Sequence, residues 1–312
     1  IYINDLEPKH AGVGWARKLG MDLALERFKK IGYNGIIAGL DADTTVAENY
    51  LYEINHFFIN TNNQAASIHF EHPINGYDYN QFNYEQIIYY ELHLRYYKNA
   101  LQYLELPFAF HTIGSAFALT AKAYARQGGM NRRKAGEDFY FINKLIKGEK
   151  FGEINKTMVV PSPRISERVP FGTGRAILDA SKNKKDLMLT YDFKSFLILK
   201  EWFDMIKNKI YHYLDFPELI KEFLPLKEWE FQHLLFLNNT SNKNKYQSMF
   251  YKKFDAFWVL KFLHFSKEKI YKNSSLFINS NLLIGKLGYK NCTTIMEQLQ
   301  LFRLIDQKKG LS

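Results

Sequence analysis

Residues Gly35–Leu51 read GIIAGLDADTTVAENYL. The apolar run Ile36–Leu40 has the length of a buried strand, and Thr44, Thr45 and Asn49 after it signal a turn and a helix near Val46–Phe58. Where that strand ends, Asp41 and Asp43 stand with only Ala42 between them. Like charges at this spacing repel, and a carboxylate beside a core needs a partner. A divalent cation is one partner and a helix N-terminus another; an Asp N-cap with a solvated neighbour is the plainer account.

Working outward, Trp15, Leu19, Leu23 and Phe28 recur at helical spacing, and Gly32 can end that helix. AASIHF (Ala65–Phe70) and SAFALT (Ser115–Thr120) read as strands. A long helix is expected from about Tyr84, a short one over AKAYARQGG and another over EDFYFINKLIK. Strands and helices alternate to about Lys156, which argues for an α/β sheet with helices on its faces. After FGTGRAI, strand signals fade and helical periodicity takes over, broken at Pro217, Pro225 and the polar NNTSNKNK stretch. The expected division is therefore 1–177 and 178–312, the second part helical.

The chain of 312 residues carries 42 Lys and Arg against 32 Asp and Glu. From Leu178 onward the count is 22 against 14, so the surplus lies mainly in the helical part. A basic surface can meet an anionic membrane, an acidic substrate or nucleic acid. These lysines, however, alternate with Leu, Phe and Trp as in EWFDMIKNKIYHYL, the pattern of solvated amphipathic helices. No nucleic-acid-binding motif is present, so nucleic acid is not an expected partner. Nor is there an apolar segment of roughly 18 residues or more that would span a bilayer. One cysteine, Cys292, cannot form an internal disulfide, which fits a reducing compartment and a cytoplasmic setting, at most at the inner face of a membrane.

Three further stretches carry chemistry. In KHAGVGWARKLGMD, Gly12 and Gly14 precede a helix whose first N–H groups could approach an anion, with Arg17 one turn inside. A turn with close helix packing explains the same glycines. In GEDFYFINKL, Glu137 and Asp138 stand at a helix start, where the dipole favours carboxylates. PSPRISERVPFGTGRAI carries Arg164, Arg168 and Arg175 among Pro, Ser and Gly, suited to a loop closing over phosphates or to a solvated linker. His69, His72 and His111 lie beside apolar residues and invite either a site role or a structural one. Glu91 is spaced to pair with Arg95 on one helix.

Taken in order, GVGWARKLGMD, LDADT, HTIGSAFALTAKAYARQGGM, AGEDFYF and RVPFGTGRAI resemble a family 2 glycosyltransferase of the GT-A type, over about Lys9 to Ile177. The resemblance implies a GT-A-like (Rossmann-like) mixed sheet with helices on both faces. It also implies inverting, metal-dependent transfer of a sugar from a nucleotide diphosphate donor to a saccharide or lipid-linked acceptor, in cell-surface polysaccharide or glycolipid synthesis. Asp43 would be the direct ligand of Mg²⁺ or Mn²⁺, with Asp41 at the ribose or at metal-bound water. Arg17, Gly14 and Arg175 would serve the donor, and His111, Gly114 and Ser115 the acceptor. Asp138 would be the base, and Glu137 would support it or position the acceptor. Cation and diphosphate would then neutralise the acidic pair of the opening stretch.

The family normally opens with a strand–helix–strand unit that binds the nucleobase. Here D-x-D arrives by residue 41 and the chain starts without Met, so an N-terminal part of a longer protein is expected to precede Ile1. The alternative reading is a non-catalytic carbohydrate- or nucleotide-binding module that keeps the fold. A peripheral membrane contact fits the charge, and the oligomeric state is not encoded in any motif.

Overall fold

A computed structural model describes residues 12–133, 136–167, 171–239 and 243–308. The elements before residue 182 are α1 (Val13–Lys30), β1 (Ile36–Gly39), β2 (Thr45–Val46), α2 (Tyr50–Asn60), β3 (Ala65–Phe70) and α3 (Gln81–Tyr103), then β4 (Phe117–Thr120), α4 (Ala121–Arg126), α5 (Glu137–Gly148), β5 (Phe151–Val160) and α6 (Thr173–Ser181). Five strands form one mixed sheet in the order β1-β4-β3-β5-β2. Only β3 and β5 run parallel; the other three pairs are antiparallel.

The period of two along each strand sends alternate side chains to two cores. Ile37, Ala65, Phe117 and Leu119 face one, closed by Met21 of α1, Tyr124 of α4 and Phe141, Ile142 and Leu145 of α5. Ile36, Ala66, Ile68, Phe70 and Ala118 face the other, closed by Tyr50 and Ile54 of α2 and Leu94 of α3. Helices therefore cover both faces of the sheet.

Two elements depart from the expectation drawn from sequence. The helix expected near Val46 starts only at Tyr50, because Thr45 and Val46 pair with Val160 and Val159 of β5. Asn49 then reaches β5 rather than capping its own helix, donating to the Lys156 carbonyl at 3.0 Å and accepting from the Thr157 hydroxyl at 2.9 Å. The ten-residue β5 itself has no alternating pattern in FGEINKTMVV; it lies between β3 and β2, and its register with β3 shifts between Ile68 and Phe70.

The chain divides into two compact units. The first holds described residues within 1–95, 110–187 and 295–312, the second those within 96–109 and 188–294. The boundary expected near Leu178 falls inside α6, where Ala176, Ile177 and Leu178 are buried. The second unit contains β6 (Leu189–Thr190), α7 (Phe193–Lys207), α8 (Glu218–Phe223), α9 (Leu226–Asn238), α10 (Lys243–Lys253), α11 (Ala256–Lys269), β7 (Ser274–Ser275) and α12 (Leu276–Lys286). Pro217 and Pro225 stand one residue before α8 and α9, where a missing N–H costs nothing. Fully buried Trp202 of α7 centres this unit, its ring 4.9–6.4 Å from those of Trp229, Phe250, Phe254 and Trp258. Among the described residues no helix is long and apolar enough to cross a membrane.

The last helix, α13 (Ile295–Lys308), belongs to the first unit and is bound there by charge. Glu91 and Arg95 of α3 are both 0% exposed, and Arg95 Nε donates to Glu91 Oε1 at 2.8 Å, the pair expected from their spacing. From α13, Arg303 donates to both Glu91 oxygens at 2.8 Å, and Asp306 Oδ2 accepts from Arg95 Nη1 at 2.6 Å. Burial alone would raise the Glu91 carboxyl, but the Arg95 charge and the hydrogen bonds from His72 and Arg303 hold it well below the ordinary carboxylate range. A carboxyl depressed in the folded state stabilises above its unfolded value near 4.5, and that contribution is lost as pH falls through the folded value. Breaking a buried pair by removing one charge costs about 3–5 kcal/mol. Glu91→Gln is thus expected to lower the unfolding free energy by about that amount at neutral pH, and to flatten the loss of stability on acidification below about pH 4.5. Urea unfolding across pH checks both; parallel acid slopes in the two proteins would place the proton uptake elsewhere.

Candidate active site

β1 ends against a tight turn in which the Thr44 N–H donates to the Asp41 carbonyl at 3.1 Å. The turn sends the two carboxylates of D-x-D to different cations. Asp41 Oδ1 accepts from Arg17 Nη2 at 2.5 Å, while Asp43 accepts from Arg164 Nε. Arg17 stands in the first turns of α1, and its other terminal nitrogen, Nη1, donates to Glu137 at the start of α5. One guanidinium, 11% exposed, thereby joins the end of β1 to the start of α5.

Two glycines permit this approach. A Cβ at Gly14 would strike the Arg133 carbonyl and lie 3.0 Å from the Glu137 Cβ, so glycine lets α1 meet α5. A Cβ at Gly114 would strike the Arg17 guanidinium itself. Freed of a side chain, Gly114 also presents its N–H to Asp138 Oδ2 at 3.1 Å. Asp138 Oδ1 accepts from the Phe139 N–H at 2.7 Å, at the N-terminus of α5.

Burial pushes the Asp138 carboxyl above the ordinary Asp value, Arg17 and the two backbone N–H groups offsetting only part of the rise. Burial and the neighbouring Asp138 charge likewise raise Glu137, against the pull of Arg17. For Arg17 the carboxylates Asp41, Glu137 and Asp138 outweigh burial, and the guanidinium stays firmly charged. Tyr90 of α3 is pushed up to about 12 by burial and by the Asp138 charge, and its hydroxyl engages Thr173. It therefore stays protonated beside the acid.

The structure thus brings Arg17, Gly14, Asp41, Gly114, Glu137 and Asp138 together. Other residues singled out in the sequence have the following surroundings. Arg175 pairs with Asp179 of its own helix, with Nε 2.9 Å from Oδ1. His111 lies 3.2 Å from Asp306 Oδ2 and packs edge-on against Phe70. Ser115 is buried. Arg168 and the residues before Gly12 lie outside the described residues. The arginine-bearing segment is tied down over 161–167. The Asn83 amide donates to the Pro163 carbonyl at 3.0 Å, Ser162 meets the Tyr79 hydroxyl at 3.0 Å, and the Ser166 N–H reaches the Gly174 carbonyl at 3.1 Å.

Tyr90 is not marked by sequence, because a tyrosine among many on one helix carries no motif, and Thr173 lies within RVPFGTGRAI without being singled out there.

Asp41 and Asp43 offer hard carboxylate oxygens of the kind Mg²⁺ and Mn²⁺ prefer. Among the described residues no group of three or more His, Cys, Asp or Glu side chains is arranged to hold a metal ion. The donor set therefore suits such a cation only when diphosphate oxygens complete its shell.

Searches of curated proteins and of solved structures gave no match. Residues 36–200, more than half of the chain, match the family described as glycosyl transferase family group 2. That span runs from the first residue of β1 through the D-x-D turn, the Gly114 loop and the Glu137–Asp138 helix start to α7. The chain belongs to glycosyl transferase family group 2.

Proposed function

We propose that this chain performs inverting, metal-dependent transfer of a sugar from a nucleotide diphosphate to an acceptor hydroxyl on a saccharide or lipid-linked acceptor. The observation that carries the reading is the convergence at Arg17. Its guanidinium touches Asp41 of D-x-D and Glu137 at the start of α5, and Asp138 is held beside it by the Gly114 N–H.

Asp138 takes the proton of the acceptor hydroxyl as its oxygen bonds to the anomeric carbon and the bond to the diphosphate oxygen breaks. Two backbone N–H groups fix both carboxylate oxygens of Asp138, leaving lone pairs for the incoming proton. Glu137 is engaged by Arg17 and acts as its support rather than as the base. Mg²⁺ or Mn²⁺, held by Asp43 and Asp41, would supply charge stabilisation to the departing diphosphate. Arg164 lies on Asp43, well placed to turn to the diphosphate once that carboxylate has another partner.

With UDP-glucose, UDP-galactose, UDP-N-acetylglucosamine and GDP-mannose as donor probes, Asp138→Asn is expected to lower turnover by about 10²–10⁴-fold, with nucleotide binding unchanged. Glu137→Gln is expected to cost less. The acid limb of the kcat profile should lie above the ordinary Asp value of 3.8, because burial raises the group and it must be ionised to act. A dead Glu137→Gln beside an active Asp138→Asn would assign the base to the other carboxylate. Normal turnover in both would reduce the pair to a helix start, and a chain that binds nucleotide without any turnover is the binding module.

Two carboxylates bind a divalent ion weakly until a diphosphate adds its oxygens. Calorimetry is expected to show Mn²⁺ binding tightened by UDP or GDP, and Asp43→Ala is expected to remove that coupling. Equal Mn²⁺ affinity with and without nucleotide would count against a metal at D-x-D.

A further inference from the structure

We infer that Asp306 of α13, acting through His111, is a positioning residue for Asp138; the inference rests on Asp138 being the base. Asp306 lies beyond the residues that match the family, on the last helix of the chain. It is 2% exposed and fixed from three sides. Its carboxylate accepts from Arg95 Nη1 at 2.6 Å, its Oδ2 lies 3.2 Å from His111 Nε2, and its carbonyl accepts from the Asn155 amide of β5 at 2.8 Å. A carboxylate held so firmly sets the place of the imidazole it meets.

His111 lies in the connection between α3 and β4, and three residues later Gly114 donates its N–H to Asp138 Oδ2. Beyond Gly114 the chain is fixed again, by Ala116 N–H to the Ile113 carbonyl at 3.0 Å and Ile68 N–H to the Ala116 carbonyl at 2.8 Å. The segment 111–116 is thus held at both ends, by Asp306 at His111 and by β3 at Ala116, with the Gly114 donor between them. The ring of Phe70 packs edge-on against His111 with centroids 5.0 Å apart, which fixes the plane of the imidazole.

Arg303, one turn earlier on α13, secures a second approach to the same site. It donates to the His72 carbonyl at 2.9 Å and pairs with Glu71 at 2.9 Å. The His72 ring lies 3.1 Å from Glu91 through Nδ1 and 3.4 Å from the Thr173 hydroxyl through Nε2. Thr173 begins α6 and engages Tyr90, whose ionisation the Asp138 charge opposes. One helix thereby braces both the backbone donor to Asp138 and the tyrosine beside it. A shift of roughly an ångström far from the reacting atoms can cost 10²-fold in rate, so this bracing matters for turnover.

The test uses Asp306→Asn and His111→Gln in the whole chain. The second variant leaves the Arg95–Asp306 pair intact and so keeps the test open should the first fail to fold. Amide NMR is expected to show the Gly114 resonance moved and its exchange with solvent faster, while amides of α11 in the other unit stay unchanged. The kcat with the four donor probes is expected to fall by about 10–100-fold, with UDP and GDP affinity retained. A Gly114 amide unmoved in the folded variants, or exchange faster throughout the chain, overturns the inference and leaves Asp306 a stability element. A wild-type kcat in both variants overturns it equally. If the Gly114 amide moves while Asp138→Asn turns over normally, the assignment of the base fails and the bracing stands.

Discussion

A single guanidinium decides the arrangement of this site. Asp41, Glu137 and Asp138 converge from the end of one strand and the start of one helix, and three carboxylates cannot share a half-buried region without a cation. Arg17 supplies it from α1, and with it the reason why α1 must come so close. That approach needs glycine at position 14 against α5 and at position 114 beneath the guanidinium. Each glycine is thus accounted for by the charge it makes room for. The Gly114 N–H donates to Asp138, so the residue that makes room for the cation also contacts the acid.

The Arg164–Asp43 pair and the network between α3 and α13 differ in burial. Arg164 and Asp43 are 44% and 37% exposed, and exposed pairs of this kind contribute about 0–1 kcal/mol. Such a pair is separated at little cost. Glu91, Arg95 and Asp306 are almost fully enclosed, and no component of that set can leave without stranding a buried charge. Separating Arg164 from Asp43 therefore costs far less than separating members of the network between α3 and α13.

Much of the frame is legible in the amino-acid sequence, because periodicity reports a side chain's local environment. The apolar run Ile36–Leu40, the alternation about Phe117 and Leu119, and the helix start at Glu137 all follow from neighbours a few residues away. β5 does not follow, since Phe151–Asn155 mixes half-buried polar and apolar residues without alternation and its partners β3 and β2 lie far back in the sequence. The D-x-D pair is conspicuous as chemistry, yet its partners Arg17 and Arg164 lie 24 and 121 residues away and are identified only by folding. His111 is a comparable case. Its apolar neighbours suggest a histidine facing either a substrate or the core, and the deciding partner, Asp306, is 195 residues away.

The position of α13 has a consequence for the order of assembly. Sheet pairs such as β3 with β4 and the α3 pair Glu91–Arg95 join residues relatively close in sequence, whereas Asp306 and Arg303 must return across the whole second unit. Closure over so long a segment carries an entropy cost that grows only slowly with length, so the distance itself is a modest obstacle. The larger obstacle is electrostatic. Until α13 docks, Arg95 lacks its pair with Asp306, and Glu91 lacks the hydrogen bonds from Arg303 that help hold it ionised. The first unit thus reaches its final charge balance only when its last helix is in place. That helix also meets His111, so the buried network and the proposed bracing of Asp138 depend on the same element.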